Sequence, residues 1–447
     1  MLNSYKRQIL QAIEGIGMGP QLRTLRIHGR RLIQSYRNYH RNLDERTPQK
    51  ISGRLYEMSV DGLPTYFGYY DKTPFSHDNS RILAAAIAFD RDWLPVASAS
   101  PLKLGYFEWA DVVSGKPTFR QFGETTTWSW QQGCMLQWFP QDPNRLVLYN
   151  RIVDGRYGSI VQDVLQGKTM IYYTMPIYAV DPFGRTGVSL NFSRLERLRP
   201  GYGYSNITDK TAGSLYPEND GVWLVDLQTG ECRMVVTLRQ LAKLMPLPSM
   251  EDAAHYVNHL LFSPDGNRVI FLHLWVTVDG RRRNRLMLYD LDEECLQVLD
   301  DRGVASHFNW LSADKILCFR YPMHGKPAYY LYKLSHAMSP VCIPLETMSS
   351  LPDGHPSVCP SGDWIVTDTY PDGIRDLHLY ICSTQKDVIL EAGKFYSPCR
   401  YRGHIRCDLH PRWDRMGRRV CFDSTHTGKR AIYVLDMDIP SDEGSQA

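Results

Sequence analysis

No apolar run approaches the roughly 18–20 residues that a bilayer-spanning helix needs, so a membrane-spanning segment is not expected in this chain of 447 residues. No Cys-x-x-Cys pair occurs either. The ten cysteines are scattered singly, which argues against a zinc ribbon or a disulfide framework and for reduced thiols in a cytosolic protein. The first residues lack the apolar core of a secretory leader, which points the same way. There is no Gly-rich phosphate loop ending in Gly-Lys-Ser/Thr, no His-Glu-x-x-His and no Gly-x-Ser-x-Gly elbow. Nucleotide hydrolysis, zincin-type proteolysis and α/β-hydrolase chemistry lose their usual markers. "GYGYSN" carries glycines but lacks the strand-to-helix setting of a dinucleotide site.

Net charge is small and uneven. The chain carries +3 overall, yet residues 1–50 hold ten Lys and Arg against three Asp and Glu, a net of +7, so the remainder is −4. A slightly acidic body without a reading module does not predict a nucleic-acid partner. In the basic part, "QLRTLRIHGRRLIQSYRNYHRNL" sets Leu22, Leu25, Leu32, Ile33, Tyr36 and Tyr39 near one helical face, with arginines between them. The expectation is a short basic α-helical extension over 1–50. Its stretch 21–43 suits an anionic membrane surface, which would make the protein peripheral at the inner membrane face. The same face also suits packing on the main body or contact with a partner.

Helix-periodic stretches are scarce after residue 50, and aromatics reach 12 %. A repeat takes their place. "NHLLFSPDGNRVIFLHL", "SHFNWLSADKILCFRY", "GHPSVCPSGDWIVTDTY" and "LHPRW" each place a histidine ahead of an apolar residue, a polar turn and a β-rich run. The histidines are His259, His307, His355 and His410, spaced 48, 48 and 55 apart. That period is one propeller blade of four strands. Weaker matches put Lys72, Met135 and Ile177 at the same blade position, which makes seven blades. The 82-residue gap from 177 to 259 is read as a blade with an insertion at "NFSRLERLRPGYGYSNITDK", or else as a poorly marked eighth blade. The predicted fold is all-β, a seven-bladed β-propeller over 51–438, with the helical extension before it and a disordered tail over 439–447. The last blade shows three strands, and "ISGRLYEMSV" supplies a fourth that closes the ring.

Inner strands of a propeller line one channel, so four histidines at one blade position form an arc at one end of it. Neutral imidazoles bind divalent ions, and Asp408 shares strand parity with His410. A histidine left unligated is a general base. Repeated histidines also serve simply as hydrogen-bonding links between blades. The others read more weakly: His28 and His40 lie in the extension; His77, His324, His336, His378 and His426 in turns or on the surface. His255 and His273 flank an inner strand, and His404 shares parity with Asp408.

The set resembles the seven-bladed propeller lyases typified by oligogalacturonate lyase, mainly over residues 255–437. His410-Pro411 matches that family's second His-Pro, and Asp408 stands where the family has a ligand histidine. The family's Gln ligand falls on Ile405, with His404 or Arg406 as stand-in. The resemblance implies His355 as a further ligand, His307 in "SHFNW" as the base and Arg285 in "NRLMLYDLD" as the substrate-carboxylate arginine. With His259 completing the arc, the implied metal set is His259, His355, Asp408 and His410. Manganese is the foremost ion, with zinc, iron, nickel or calcium as alternatives. The implied reaction is β-elimination on a uronic-acid-containing oligosaccharide or polysaccharide. Rhamnosyl-glucuronate lyases are comparable relatives. Sugar binding calls for aromatic and cationic side chains in loops: Arg199, Tyr202 and Tyr204 (with Arg197) in "RLRPGYGY", Trp130 and Gln132 (with Trp128) in "TWSWQQG", and Lys72. Two other readings stay open: a hydrolase using the same metal, and a non-catalytic propeller scaffold in surface-polysaccharide assembly.

Overall fold

Seven four-stranded antiparallel sheets follow one another along the chain. The computed structural model describes residues 48, 50–59, 63–87, 101–334 and 341–437. The helical extension with its expected membrane contact at 21–43, the tail over 439–447 and His336 lie outside the described residues. Among the described residues no helix is long and apolar enough to cross a membrane.

The inner strands of blades 1 to 7 are Thr65–Tyr66, Gln137–Trp138, Ala179–Val180, Ala254–Phe262, Gly303–Ser312, Ser357–Val358 and Arg412–Trp413. Blade 4 shows why the repeat folds this way. Ala254–Phe262 and Arg268–Val276 alternate apolar residues that end fully buried. Between them the Ser263 hydroxyl accepts the Arg268 amide at 3.0 Å, and Gly266 takes the left-handed backbone (φ 73°) that the hairpin requires. Arg268 then reaches across to Asp290 at 3.0 Å, its register partner on the third strand. Arg81 with Glu108 at 3.1 Å repeats the device in blade 1. Blades 1 and 4 are thus side-chain-capped hairpin pairs around an apolar face, and the buried apolar residues of neighbouring blades gather into six clusters.

Closure follows the sequence expectation. Arg54–Met58 pairs antiparallel with Ala431–Asp436, so blade 7 is completed by the beginning of the described chain. The long gap after Ile177 proves to be an insertion. Residues 190–220 leave blade 3 between its strands Thr186–Ser189 and Gly221–Asp226 and carry the helix Phe192–Leu198. Asn191 caps that helix by accepting the Arg194 amide at 3.0 Å.

Two histidines owe their direction to interrupted ladders. Pairing slips between Asn258 and Leu261, and again between Ala305 and Phe308. His259 and His307 sit in those bulges, where a strand re-aims its side chains. His259 and His410 also adopt left-handed backbones, φ 56° and 46°, a conformation few residues other than glycine take.

His426 lies in a turn, as expected, but is buried there at 2 % exposure, its Nδ1 at 2.9 Å from Ser424 Oγ. Burial lowers its pKa to about 4, and burial with nearby Arg194 and Arg285 does the same for His255. An unfolded histidine titrates near pH 6.5. As pH falls below that value the unfolded chain takes up protons that the folded chain refuses. Stability is thus present above about pH 6.5 and drains away towards about pH 4, by up to about 1.4 kcal/mol per pH unit for each such histidine. Urea midpoints measured across this range are expected to fall with pH, and more gently in His426→Asn. An unchanged slope in that variant removes His426 from the account.

Candidate active site

Four imidazoles from four blades meet at one end of the channel. Ring centroids of His307 and His355 lie 4.0 Å apart, His355 and His410 4.3 Å, and His259 and His307 6.2 Å. Tyr69 and Tyr70 enter from blade 1 and fill the centre. Tyr69 stacks on His259 at 4.9 Å and meets His410 edge-on at 4.8 Å. The Tyr70 hydroxyl donates to Phe308 O at 2.9 Å and accepts the Phe308 amide at 3.1 Å, which ties blade 1 across to blade 5.

Within the arc, His355, Asp408 and His410 form a group whose ligand-type atoms all lie within 4.8 Å of one another. Their hydrogen bonds decide which atoms face inwards. His410 Nδ1 donates to Gly68 O at 2.9 Å, so its Nε2 keeps the lone pair. His355 Nδ1 donates to Asp368 Oδ1 at 2.8 Å, with the same result. Asp408 Oδ2 takes Arg406 Nε at 2.6 Å, leaving Oδ1. His355 Nε2, His410 Nε2 and Asp408 Oδ1 are all buried and have no hydrogen-bond partner among the described residues. Unpaired buried polar atoms are costly. Two such imidazole nitrogens beside one carboxylate, whose Oδ2 lies 3.9 Å from His410 Nε2, fit a divalent ion of mixed nitrogen and oxygen preference.

Supports behind the ligands are equally specific. Asp368 accepts the backbone amides of both His355 (2.8 Å) and His410 (3.0 Å), so one carboxyl sets two blades in register. Burial raises its pKa to about 7 against the pull of those amides. Burial, then the neighbouring His307, holds His355 well below the usual histidine value; burial, then His355, does so for His410. Both are therefore neutral, the form that ligates.

His307 stands beside this group with a partner of its own. Its Nδ1 lies 3.1 Å from Asp353 Oδ1, and Asp353 Oδ2 also accepts from Ser306 Oγ (2.7 Å) and Tyr321 OH (3.2 Å). Burial pushes the Asp353 carboxyl upwards, but His307, Ser306 and His355 together hold the pKa below its ordinary value. An ionised Asp353 fixes the Nδ1–H tautomer of His307 and leaves Nε2 as a proton acceptor.

The remaining expected residues divide. Tyr202 is at the site: its hydroxyl takes Arg406 at 2.7 Å and Arg199 at 3.1 Å, and its ring meets His259 at 6.2 Å. Gln132 lies behind it, donating to Tyr178 OH at 2.7 Å and Asn258 Oδ1 at 3.3 Å. His259 belongs to the arc but not to the ligand group; its Nε2 is 3.3 Å from Tyr69 OH. Lys72 pairs with Asp71 at 2.8 Å. It lines a separate pocket of about 480 Å³ where the inner strands run out into their hairpin turns. Tyr204 stacks on Phe192 at 4.3 Å, and Trp130 packs with Tyr66 and under Arg430, both in the interior. His404 is exposed on a short 3₁₀ turn.

Arg285 is not brought to the cluster. It is 0 % exposed, and its donors are spent on His273 Nδ1 (3.1 Å), Met245 O (3.1 Å), Leu241 O (2.6 Å) and Leu244 O (2.8 Å). These carbonyls end the helix Leu238–Lys243, and His273 in turn contacts His255 Nδ1 at 2.7 Å. Arg285 therefore welds that helix to blade 4. Arg285→Met is expected to lower unfolding stability by on the order of 3 kcal/mol or more, because several buried acceptors lose their donor. Metal content of the folded protein should not change. Denaturant titration and elemental analysis check the two halves.

No protein-family model and no curated protein matches the chain. Among solved structures, it is similar to an oligogalacturonate lyase in complex with manganese, with TM-score 0.62 and 15 % identity over 88 % of this chain and 95 % of that one. It is likewise similar to the oligogalacturonate lyase of Vibrio parahaemolyticus, with TM-score 0.59 and 14 % identity over 88 % and 96 %. At such identities the likeness establishes the fold, a seven-bladed propeller of the kind these lyases have, as the resemblance over residues 255–437 implied.

Proposed function

We propose that the protein is a metal-assisted lyase that cleaves a uronic-acid-containing glycan by β-elimination. One observation carries the reading: two buried, unpartnered imidazole nitrogens and the buried Asp408 carboxyl lie together beside a histidine held in its basic tautomer by a buried aspartate. A site that only linked blades would pair these atoms with each other or with backbone, as Asp368 and Gly68 do one layer out.

The reaction needs a base, a positive charge and an orienting frame. His307 Nε2 takes the proton from C5 of the uronate, next to its carboxylate. The C5–H electron pair becomes the second bond of C4=C5. The C4–O4 bond breaks with its pair on O4, and O4 takes a proton from water. His355, Asp408 and His410 would hold a divalent ion, with manganese foremost, which would supply positive charge against the charge that develops as C5 loses its proton. Asp353 steadies the imidazolium that forms on His307. Tyr69 and Tyr70 exclude water from the inner side.

Acidic oligosaccharides incubated with the purified protein and manganese should gain ultraviolet absorbance from the conjugated C4=C5 bond. New reducing ends without that absorbance would make the protein a hydrolase at the same site. Neither product, over a panel of uronate oligosaccharides, would favour the scaffold reading.

A further inference from the structure

Two guanidinium groups converge on one phenol beside the ligand group. We infer that Arg199 and Arg406, docked on Tyr202, form the carboxylate-recognition element of the site and make it selective for sugars whose acid is free. The inference rests on the lyase reading for its substrate class but stands on its own geometry.

Arg199 comes from the blade 3 insertion and lies over the Tyr202 ring, its guanidinium 4.0 Å from the centroid. Arg406 comes from the connection between blades 6 and 7 and stands 5.8 Å from the same ring and 5.8 Å from that of Tyr370. The two segments are fitted to each other. Gly201 has φ +92°, and a Cβ there would stand 2.7 Å from His404 Cβ. Gln131 bridges them, donating to His404 O at 2.8 Å and Arg406 O at 3.0 Å. Chance proximity of two surface arginines would not require a glycine and a buried amide at the seam.

Charge points the same way. Among the described residues Arg199 forms no ion pair, and the one acid on Arg406 is Asp408, whose carboxyl also stands with His355 and His410. Asp353 is engaged by His307. A divalent ion would deepen the positive excess. Each guanidinium offers five donors, and Arg199 uses one of them, on Tyr202. A planar carboxylate is the group such forks bind in a bidentate manner. Arg285 is buried elsewhere and Arg412 is spent on Gly68, Tyr69 and Asp423, whereas Arg406 joins the Asp408 carboxyl to the Tyr202 hydroxyl that Arg199 shares.

The probe is an oligogalacturonate and its methyl ester, titrated calorimetrically into full-length protein with manganese, in a His307→Ala background so that the ligand is not consumed. The unsubstituted arginines should favour the acid over the ester. Arg199→Gln and Arg406→Gln should each weaken the acid by about 10- to 100-fold and leave the ester nearly unchanged. Arg199→Lys should restore only part, because the fork is lost. Arg199→Gln lies in the insertion and does not touch Asp408, so it keeps the test decisive even if Arg406→Gln folds poorly. Equal binding of acid and ester, binding of neither, or discrimination unchanged in folded Arg199→Gln overturns the clamp. Unsaturated product with unchanged discrimination sinks the clamp and keeps the lyase. Carboxylate-selective binding lost in Arg199→Gln, with no unsaturated product from protein that retains His307, does the reverse.

Discussion

His307→Ala is expected to lower uronate elimination by about 10²- to 10⁴-fold, the usual worth of a positioned general base, with thermal stability and bound metal nearly unchanged. The separation of effects is the point. His307 lies 4.0 Å ring to ring from His355, yet it falls outside the ligand group and pairs with Asp353. A residue that merely packed the channel would cost stability when removed, and a ligand would cost metal. Asp353→Asn should reproduce part of the defect. An amide at that position can donate as well as accept, and so no longer holds the proton on Nδ1. Steady-state rates on an acidic oligosaccharide, read beside elemental analysis and melting curves, check both variants. Wild-type turnover in His307→Ala removes it as the base.

The blade count, the closure by residues near 54–58 and the meeting of His259, His307, His355 and His410 follow from features the chain displays openly. A 48-residue period fixes where inner strands recur, and Ser, Asp and Gly in the hairpins fix where they end. What surrounds the histidines was harder to see, for identifiable reasons. Asp353 and Asp408 both stand two residues before a histidine, in "DGH" and "DLH". One of these carboxylates crosses to the neighbouring blade's His307, while the other joins the ligand group. The spacing was visible, but only the stacking of blades separates the roles. Tyr69 and Tyr70 carry no repeat mark at all, since blade 1 has no histidine at its anchor. Their place is set by Arg412, which holds Tyr69 O at 2.9 Å. Asp368 ends an ordinary apolar strand, and its importance lies in two backbone amides from distant parts of the chain.

Residue type misled where burial decided. Trp130 and Tyr204 look like sugar platforms because they lie in connections between recognisable strands. In a propeller those connections fold down as plugs, and both rings end inside. Arg285 was drawn by resemblance to the substrate. Its strand position pairs with His273, however, and the nearby helix end offers three carbonyls. Four of the five guanidinium donors are spent there, and the group is 0 % exposed, out of reach of a ligand. Tyr370 shows the converse. Nothing in "DTYPDG" marks it, yet it is 36 % exposed, and its ring lies 5.7 Å from His355 and 6.2 Å from His307.

Protein purified with manganese should carry about one divalent ion per chain, and His410→Ala or His355→Ala should reduce that to near zero, with elimination falling in step. Each removes one of three donors from a set that has no described substitute. His259→Ala distinguishes the arc from the ligand group: its Nε2 faces Tyr69, so the ion should stay. Loss of the ion in that variant would add His259 to the set. Asp368→Asn is the more searching test. It leaves every ligand in place but exchanges one acceptor oxygen for a donor amide against His355 Nδ1 and two backbone amides. Disturbing such a support typically costs about 10- to 100-fold in metal affinity. A metal titration showing that loss, while stability in the metal-free state changes little, ties Asp368 to the ion. If affinity is unmoved and stability collapses, Asp368 is a structural link between blades 6 and 7, and the alignment of the ligands must come from the left-handed backbone at His410 and the Gly68 carbonyl instead.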